Sequence, residues 1–170
     1  RKIQTLAEIK QPKRILEAGT AIGYSAILLA EATDAEIETV EIDPDMAAEA
    51  LKNIGEAGLT ARIRVINGDA GEVLPALGRP YDMVFLDSAK GQYAHLLPDI
   101  VRLLEPGGLL GADNCIFYGK ILDEPENAPH KHRTIVANLR KFLDRVFDGT
   151  EFASASLVDA GDGILIAVKR

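Results

Sequence analysis

Asp87 and the pair Asp113-Asn114 are the residues of this chain whose types and placement best suit a hard cation. Each closes an apolar run, the first ending Phe85-Leu86-Asp87-Ser88-Ala89-Lys90 and the second Ala112-Asp113-Asn114. As neighbouring parallel strands, these runs would deliver their C-terminal residues to one edge of a sheet, where ligands bind in open α/β folds. Two carboxylates and an amide suit Mg²⁺, with Mn²⁺ or Ca²⁺ as substitutes, whereas zinc would want His or Cys, and none is suitably placed. Mg²⁺ takes about six ligands, which leaves room for water and for an acceptor with adjacent oxygens. Chelation there would acidify an acceptor hydroxyl and orient its oxygen. Lys90 follows Asp87 by three residues and can fold back over the site. Beside a dication, part of its population would be neutral and able to accept the hydroxyl proton. Taken singly, each aspartate also reads as a strand-end cap and Lys90 as an exposed lysine at a helix start.

A second constellation is Glu17-Ala18-Gly19-Thr20-Ala21-Ile22-Gly23-Tyr24-Ser25, which ends one strand and enters a helix. Glycines at such a turn let a ligand approach the backbone, and the helix start offers free N–H groups. Glu41 stands 22 residues after Gly19, at the end of the next strand. An acid there can accept hydrogen bonds from ribose hydroxyls, so the pattern points to a nucleoside-containing cofactor. A nicotinamide dinucleotide is disfavoured, because Ala21 takes the place of the middle glycine of G-x-G-x-x-G and leaves less room for a pyrophosphate. Gly68-Asp69-Ala70 closes the third strand, where an acid or backbone group could meet an adenine amino group or simply cap a helix.

The elements that must position these residues alternate along the chain. Predicted strands cover residues 14–18, 36–42, 62–67, 82–87, 108–112, 151–157 and 163–168, and helices cover 23–32, 44–57, 71–77, 93–104 and 134–147. Apolar β-branched runs between stretches of helical period describe an α/β fold, a mostly parallel seven-stranded sheet with helices on both faces. Asp43-Pro44 is a helix-start signal, and Pro106-Gly107-Gly108 is expected to break the chain just before the fifth strand. Only Asp159-Ala160-Gly161-Asp162 separates the last two strands, so they form a hairpin and one of them runs antiparallel.

With 170 residues, 47% of them hydrophobic and 26% charged, the chain suits a single domain over residues 1–170. No run is long and apolar enough for a membrane span, the first residues are no secretory signal, and the single cysteine, Cys115, fits a cytoplasmic setting. The chain opens on Arg1 and its first methionine is Met46, so a preceding N-terminal segment is expected. A net charge of −7 speaks against a generic nucleic-acid binder, yet residues 1–14 and 118–145 are locally basic.

The quoted motifs resemble those of the cation-dependent O-methyltransferases, the family that includes catechol and caffeoyl-CoA methyltransferases. The resemblance runs from about Lys13 to the C-terminus. It implies a Rossmann-like class I methyltransferase fold and S-adenosylmethionine on the strand-end segments that contain Glu17, Gly19, Gly23, Ser25, Glu41, Asp69, Ala70 and Asp87. It further implies metal on Asp87, Asp113 and Asn114, Lys90 as the base, and homodimers formed with helices preceding the first strand. Lys90-Gly-Gln-Tyr93 and Arg133-Thr-Ile-Val-Ala-Asn-Leu-Arg140 are similar to the bacterial branch that methylates 5-hydroxyuridine in tRNA. In that reading Lys131, Arg133, Arg140 and Lys141 would meet phosphates, and the Tyr118 to Arg133 stretch, with Pro125 and Pro129, would shape access. A small catechol-like acceptor is the alternative, and a non-catalytic S-adenosylmethionine- or RNA-binding module is the alternative of another class.

Overall fold

The computed structural model describes residues 2–121 and 129–170. Its elements run α1 (Lys2–Lys10), β1 (Arg14–Ala18), α2 (Tyr24–Ala32), β2 (Glu36–Glu41), α3 (Pro44–Glu56), β3 (Ile63–Asn67), α4 (Ala70–Ala76), β4 (Tyr81–Leu86), α5 (Tyr93–Leu103), β5 (Leu104–Ala112), α6 (Arg133–Phe147), β6 (Phe152–Val158) and β7 (Ile164–Lys169). Seven strands form one sheet in the order β3-β2-β1-β4-β5-β7-β6. All pairs are parallel except those of β7, which runs antiparallel to both β5 and β6. The predicted hairpin is therefore present, and its second strand is the inverted one.

Period-two alternation sorts the strand residues between two apolar layers. On one face Ile15 and Ile37 pack with Ile3 and Ala7 of α1, Leu29 of α2 and Ile54 of α3. On the other, Leu16, Val84 and Leu110 pack with Leu74 of α4, Leu97 of α5 and Phe142 of α6. Asp43 caps α3 as its position foretold, accepting the N–H groups of Asp45 at 2.9 Å and Met46 at 3.2 Å.

Two boundaries differ from the sequence reading. The basic stretch before Arg14 forms the helix α1, which packs against α2 and buries Ile3 and Ala7. The Pro106-Gly107-Gly108 break falls inside β5 rather than before it. The ladder with β4 starts at Tyr81 and Leu104, then skips to Met83 and Leu109, so the extra residues are absorbed as a bulge. No helix among the described residues is long and apolar enough to cross a membrane.

Tyr93, at the start of α5, ties the two central strand ends together. Its hydroxyl lies 3.1 Å from the Leu86 carbonyl and 3.2 Å from the Asp113 carbonyl. Burial pushes the phenol well above its ordinary range, so it stays protonated and shares one hydrogen between the two oxygens. Phe142 of α6 backs the ring edge-on, with centroids 5.4 Å apart. Tyr93→Phe should cost about 1–3 kcal/mol through two under-satisfied buried carbonyls. Phe142→Ala should cost about 3–5 kcal/mol through lost packing. Urea unfolding of both variants checks this, and a Tyr93→Phe protein as stable as the parent would remove the hydroxyl from the account.

Candidate active site

The strand order reverses at β1 and β4, whose neighbours diverge on either side and open a crevice at their carboxyl ends. A cavity of about 380 Å³ occupies it, lined by Gly19, Ala21, Glu41, Ala70, Asp87 and Ser88 together with Val40, Ile42, Gly68, Ala89 and Gln92. Gly19 has φ +105°, and a Cβ there would stand 2.3 Å from the Asp87 carbonyl oxygen. The glycine is thus required by the neighbouring strand as well as by any ligand above it. Ile42 lines the cleft without having been singled out in the sequence, and Gln92 entered there only within the Lys90-Gly-Gln-Tyr93 motif. Ile42 directly follows Glu41 and is 62% exposed, an apolar residue at a strand end for which the period-two pattern offers no core.

Glu41 braces the glycine turn. Its carboxylate accepts the N–H of Ala21 at 2.7 Å, where the backbone is left-handed (φ +46°), and the N–H of Asp43 at 2.9 Å. Asp69 caps α4, accepting the Gly71 N–H at 2.7 Å, so the helix-cap reading describes one of its oxygens. Gly23, with φ +87°, precedes α2 and lies against Ala50, where a Cβ would come to 3.3 Å.

Glu17 and Ser25 turn away from the cleft. Parity along β1 places Glu17 on the α2 face, fully buried, where Ser25 donates to one carboxylate oxygen and Thr39 to the other. Thr20 stands 2.5 Å from Thr39, whose single proton is committed to an ionised Glu17, so Thr20 then acts as the donor. Burial raises the Glu17 carboxyl from 4.5 to about 7 against the lowering effect of these two hydroxyls, with Asp87 and Glu41 adding to the rise. Neither Glu17 nor Ser25 lines the cavity.

The candidate metal edge assembles as the strand ends required. Leu86 pairs with Ala112, so Asp87 and Asp113 leave adjacent strands side by side, and the Asp113 N–H donates to the Leu86 carbonyl at 2.9 Å. One 3₁₀ turn, Lys90–Gln92, folds Lys90 back. Its ammonium lies 3.3 Å from the Asp87 carboxylate and 3.1 Å from the Ser88 carbonyl, with the side chain only 16% exposed. Burial raises the Asp87 carboxyl, Lys90 lowers it, and Asp113 raises it again. Carboxylates that repel one another in a partly dry edge are a donor set that a cation relieves, and the residues fit a divalent ion on that ground. Among the described residues no three His, Cys, Asp or Glu side chains form a metal-holding group, and Asn114, next to Asp113 in sequence, is the amide that could join the two carboxylates. Asn114 has left-handed backbone (φ +57°), a conformation asparagine tolerates, and its N–H donates to Asp113 at 2.8 Å.

The basic residues of α6 do not act alike. Arg140 donates to the Ile121 carbonyl at 3.0 and 3.3 Å and is half-buried, whereas Arg133 and Lys141 are exposed. The side chain of Lys131 lies outside the described residues, as does Pro125 of the access stretch.

Comparison with known proteins agrees with this geometry. The family model described as O-methyltransferase matches residues 2–170. The chain is 43% identical over 178 residues to the catechol O-methyltransferase of Niastella koreensis, covering 99% of this chain and 78% of that protein. It is 36% identical over 129 residues to the catechol O-methyltransferase of Sus scrofa, covering 69% and 68%. Among solved structures, the Streptomyces achromogenes O-methyltransferase involved in tomaymycin synthesis, in complex with S-adenosylmethionine, superposes with a TM-score of 0.89 at 28% identity, covering 99% of this chain and 78% of that one. The O-methyltransferase of Bacillus cereus, in complex with S-adenosylhomocysteine, superposes equally well at 0.89 and 27% identity, with 99% and 79% covered.

The buried Glu17 carries a pH signature. Its folded value near 7 exceeds the unfolded 4.5, so between those limits the folded chain keeps a proton that the unfolded chain gives up. Stability from this group is full at the acid end of the window and declines as pH rises through it, by on the order of 3 kcal/mol. Glu17→Gln, which cannot ionise, should flatten that decline when unfolding free energies are measured in urea from pH 5 to 8. Parallel pH profiles for parent and variant would refute the shift.

Proposed function

We propose, from the premise that this chain belongs to the O-methyltransferase family, that its cleft edge methylates one of two neighbouring oxygens on a small aromatic acceptor held by a divalent cation. The family sets the coarse activity, that of an S-adenosylmethionine-dependent O-methyltransferase. The observation that carries the finer reading is the juxtaposition of Asp87, Asp113 and Lys90 at paired strand ends, beside the cavity that Gly19 and Glu41 line.

Gly19, Glu41, Ala70 and Asp87 would hold S-adenosylmethionine, which supplies an electrophilic sulfonium methyl to the attacking oxygen. Asp87, Asp113 and Asn114 would hold Mg²⁺, whose charge would acidify a hydroxyl of an acceptor with two adjacent oxygens. Lys90, as the neutral amine, would be the group placed to receive the hydroxyl proton, since its nitrogen lies 3.3 Å from the Asp87 carboxylate and its side chain is largely shielded from water. Glu41, which braces the turn at Ala21, would help to orient the cofactor.

Two relatives that are catechol O-methyltransferases support a catechol-like acceptor. A 5-hydroxyuridine in tRNA offers the same pair of adjacent oxygens. That reading draws on Arg133, Arg140, Lys131 and Lys141, and Arg140 already holds a backbone carbonyl. The small acceptor is therefore the reading we adopt.

With S-adenosylmethionine and Mg²⁺, the purified protein should convert catechol to its monomethyl ether, seen by mass spectrometry, and leave phenol untouched. EDTA should abolish turnover, with Mg²⁺ or Mn²⁺ restoring it and zinc failing to. Full turnover in chelator would sink the metal reading. Lys90→Met should lower kcat by about 10²–10⁴, the usual contribution of general acid–base catalysis, with S-adenosylhomocysteine affinity unchanged in calorimetry.

A further inference from the structure

The segment that follows the candidate metal ligands has an unusual backbone. Asn114 (φ +57°), Phe117 (+51°), Tyr118 (+54°) and Gly119 (+77°) are all left-handed within six residues. Only the glycine adopts this conformation freely, and aromatic residues do so only where their surroundings impose it.

The turn between β6 and β7 provides that restraint. Cys115 N–H donates to the Gly163 carbonyl and Ile116 N–H to the Asp162 carbonyl, both at 2.9 Å. Tyr118 N–H donates to the Asp162 carboxylate. Gly163 leaves space for Ile116, since a Cβ there would fall 2.3 Å from Ile116 Cγ1. From the other side Lys2 of α1 donates to the Ala160 carbonyl of the same turn. Asp162 thus grips the strained segment at two points, through its main chain and through its side chain.

What the grip holds in place is chemically suited to an acceptor. Asn114 begins the segment, and the Phe117 and Tyr118 rings follow with Lys120 Nζ 5.1 and 5.5 Å from their centroids. The Phe117 ring meets His132 edge-on at 5.5 Å, joining the segment to the start of α6, while Tyr118 is 80% exposed.

We propose that Asp162 is a positioning residue for the acceptor, holding the Tyr118 amide so that the Asn114–Gly119 segment keeps its left-handed course. The proposal rests on the reading of the Asp113-Asn114 edge as the acceptor site. Asp162 does not line the cofactor cavity, so its loss should disturb acceptor binding and leave cofactor binding alone.

Asp162→Ala and Asp162→Asn are compared with the parent in three measurements: hydrogen exchange of residues 115–120, calorimetry with S-adenosylhomocysteine, and steady-state kinetics with catechol. Losing one hydrogen bond to a carboxylate should speed exchange in the segment and raise the acceptor KM, each by about tenfold, with kcat much less affected and cofactor affinity unchanged. Asp162→Asn keeps an oxygen that can accept the Tyr118 N–H, so it should restore most of both losses; should Asp162→Ala fail to fold, a smaller rise in exchange and in KM for Asp162→Asn carries the test. Parental exchange and KM in both variants would overturn the proposal, as would a fall in cofactor affinity equal to that for the acceptor. If the parent methylates no acceptor with adjacent oxygens, the functional reading fails, while the exchange measurement still decides whether Asp162 holds the segment.

Discussion

The bare α-carbon of Gly19 is the constraint on which the two halves of the site depend. With no side chain there, the exit of β1 lies directly against the Asp87 carbonyl, closer than any Cβ would allow. That contact falls at the reversal of strand order, so it joins the turn that frames the cavity to Asp87, where the carboxylate edge begins. Glu41 secures the turn from β2 by accepting the Ala21 N–H, and Tyr93 secures the other side by bridging the ends of β4 and β5. The cavity and the Asp87–Asp113 edge therefore share one seam, and relative movement of the two would require the strands themselves to part.

Much of this was legible in the sequence because strand ends are local signals. Apolar runs ending in Asp87 and Asp113 specified which strand ends would lie side by side, and Asp43-Pro44 specified the start of α3. The failures have physical reasons. Lys2–Lys10 carries a narrow apolar stripe, chiefly Ile3 and Ala7, among charged and polar residues, and it becomes a helix through packing on α2 rather than through its own period. Leu104 belongs to β5 because a bulge absorbs the residues that read as a break. Glu17 faces the α2 side of the sheet by strand parity, a placement the motif alone does not reveal, and Ser25 on α2 donates to it. Asp162 lies 44 residues from Tyr118, and no local pattern announces a contact of that span.

The basic residues show a second limit on sequence reading. In an acidic chain, lysines and arginines read naturally as surface charge or as a grip for phosphates. Several of them instead cap carbonyl groups at helix ends. Arg62 donates to the carbonyls of Ala30 and Thr33 at the end of α2, Arg102 to those of Leu74 and Leu77 at the end of α4, and Lys169 to those of Val101 and Leu104 at the end of α5. Arg140 does the same for Ile121 in a loop. These cations meet helix-end and loop carbonyls between neighbouring elements, which ties those elements together and leaves fewer of the cations to meet a polyanion.

The inverted strand β7 bears on the order in which the molecule can be completed. It is the last strand in sequence, yet it lies inside the sheet between β5 and β6. Until it arrives, the flank of β5 facing it is an unpaired edge, and β6 has no neighbour at all. During synthesis the first five strands can pair with one another as they emerge, but the wall beside Asn114 waits for the closing hairpin. A chain in which β7 has not yet paired would thus hold the Gly19–Glu41 cleft before it held the Asn114–Gly119 segment in place, with an adhesive strand edge exposed in the interval.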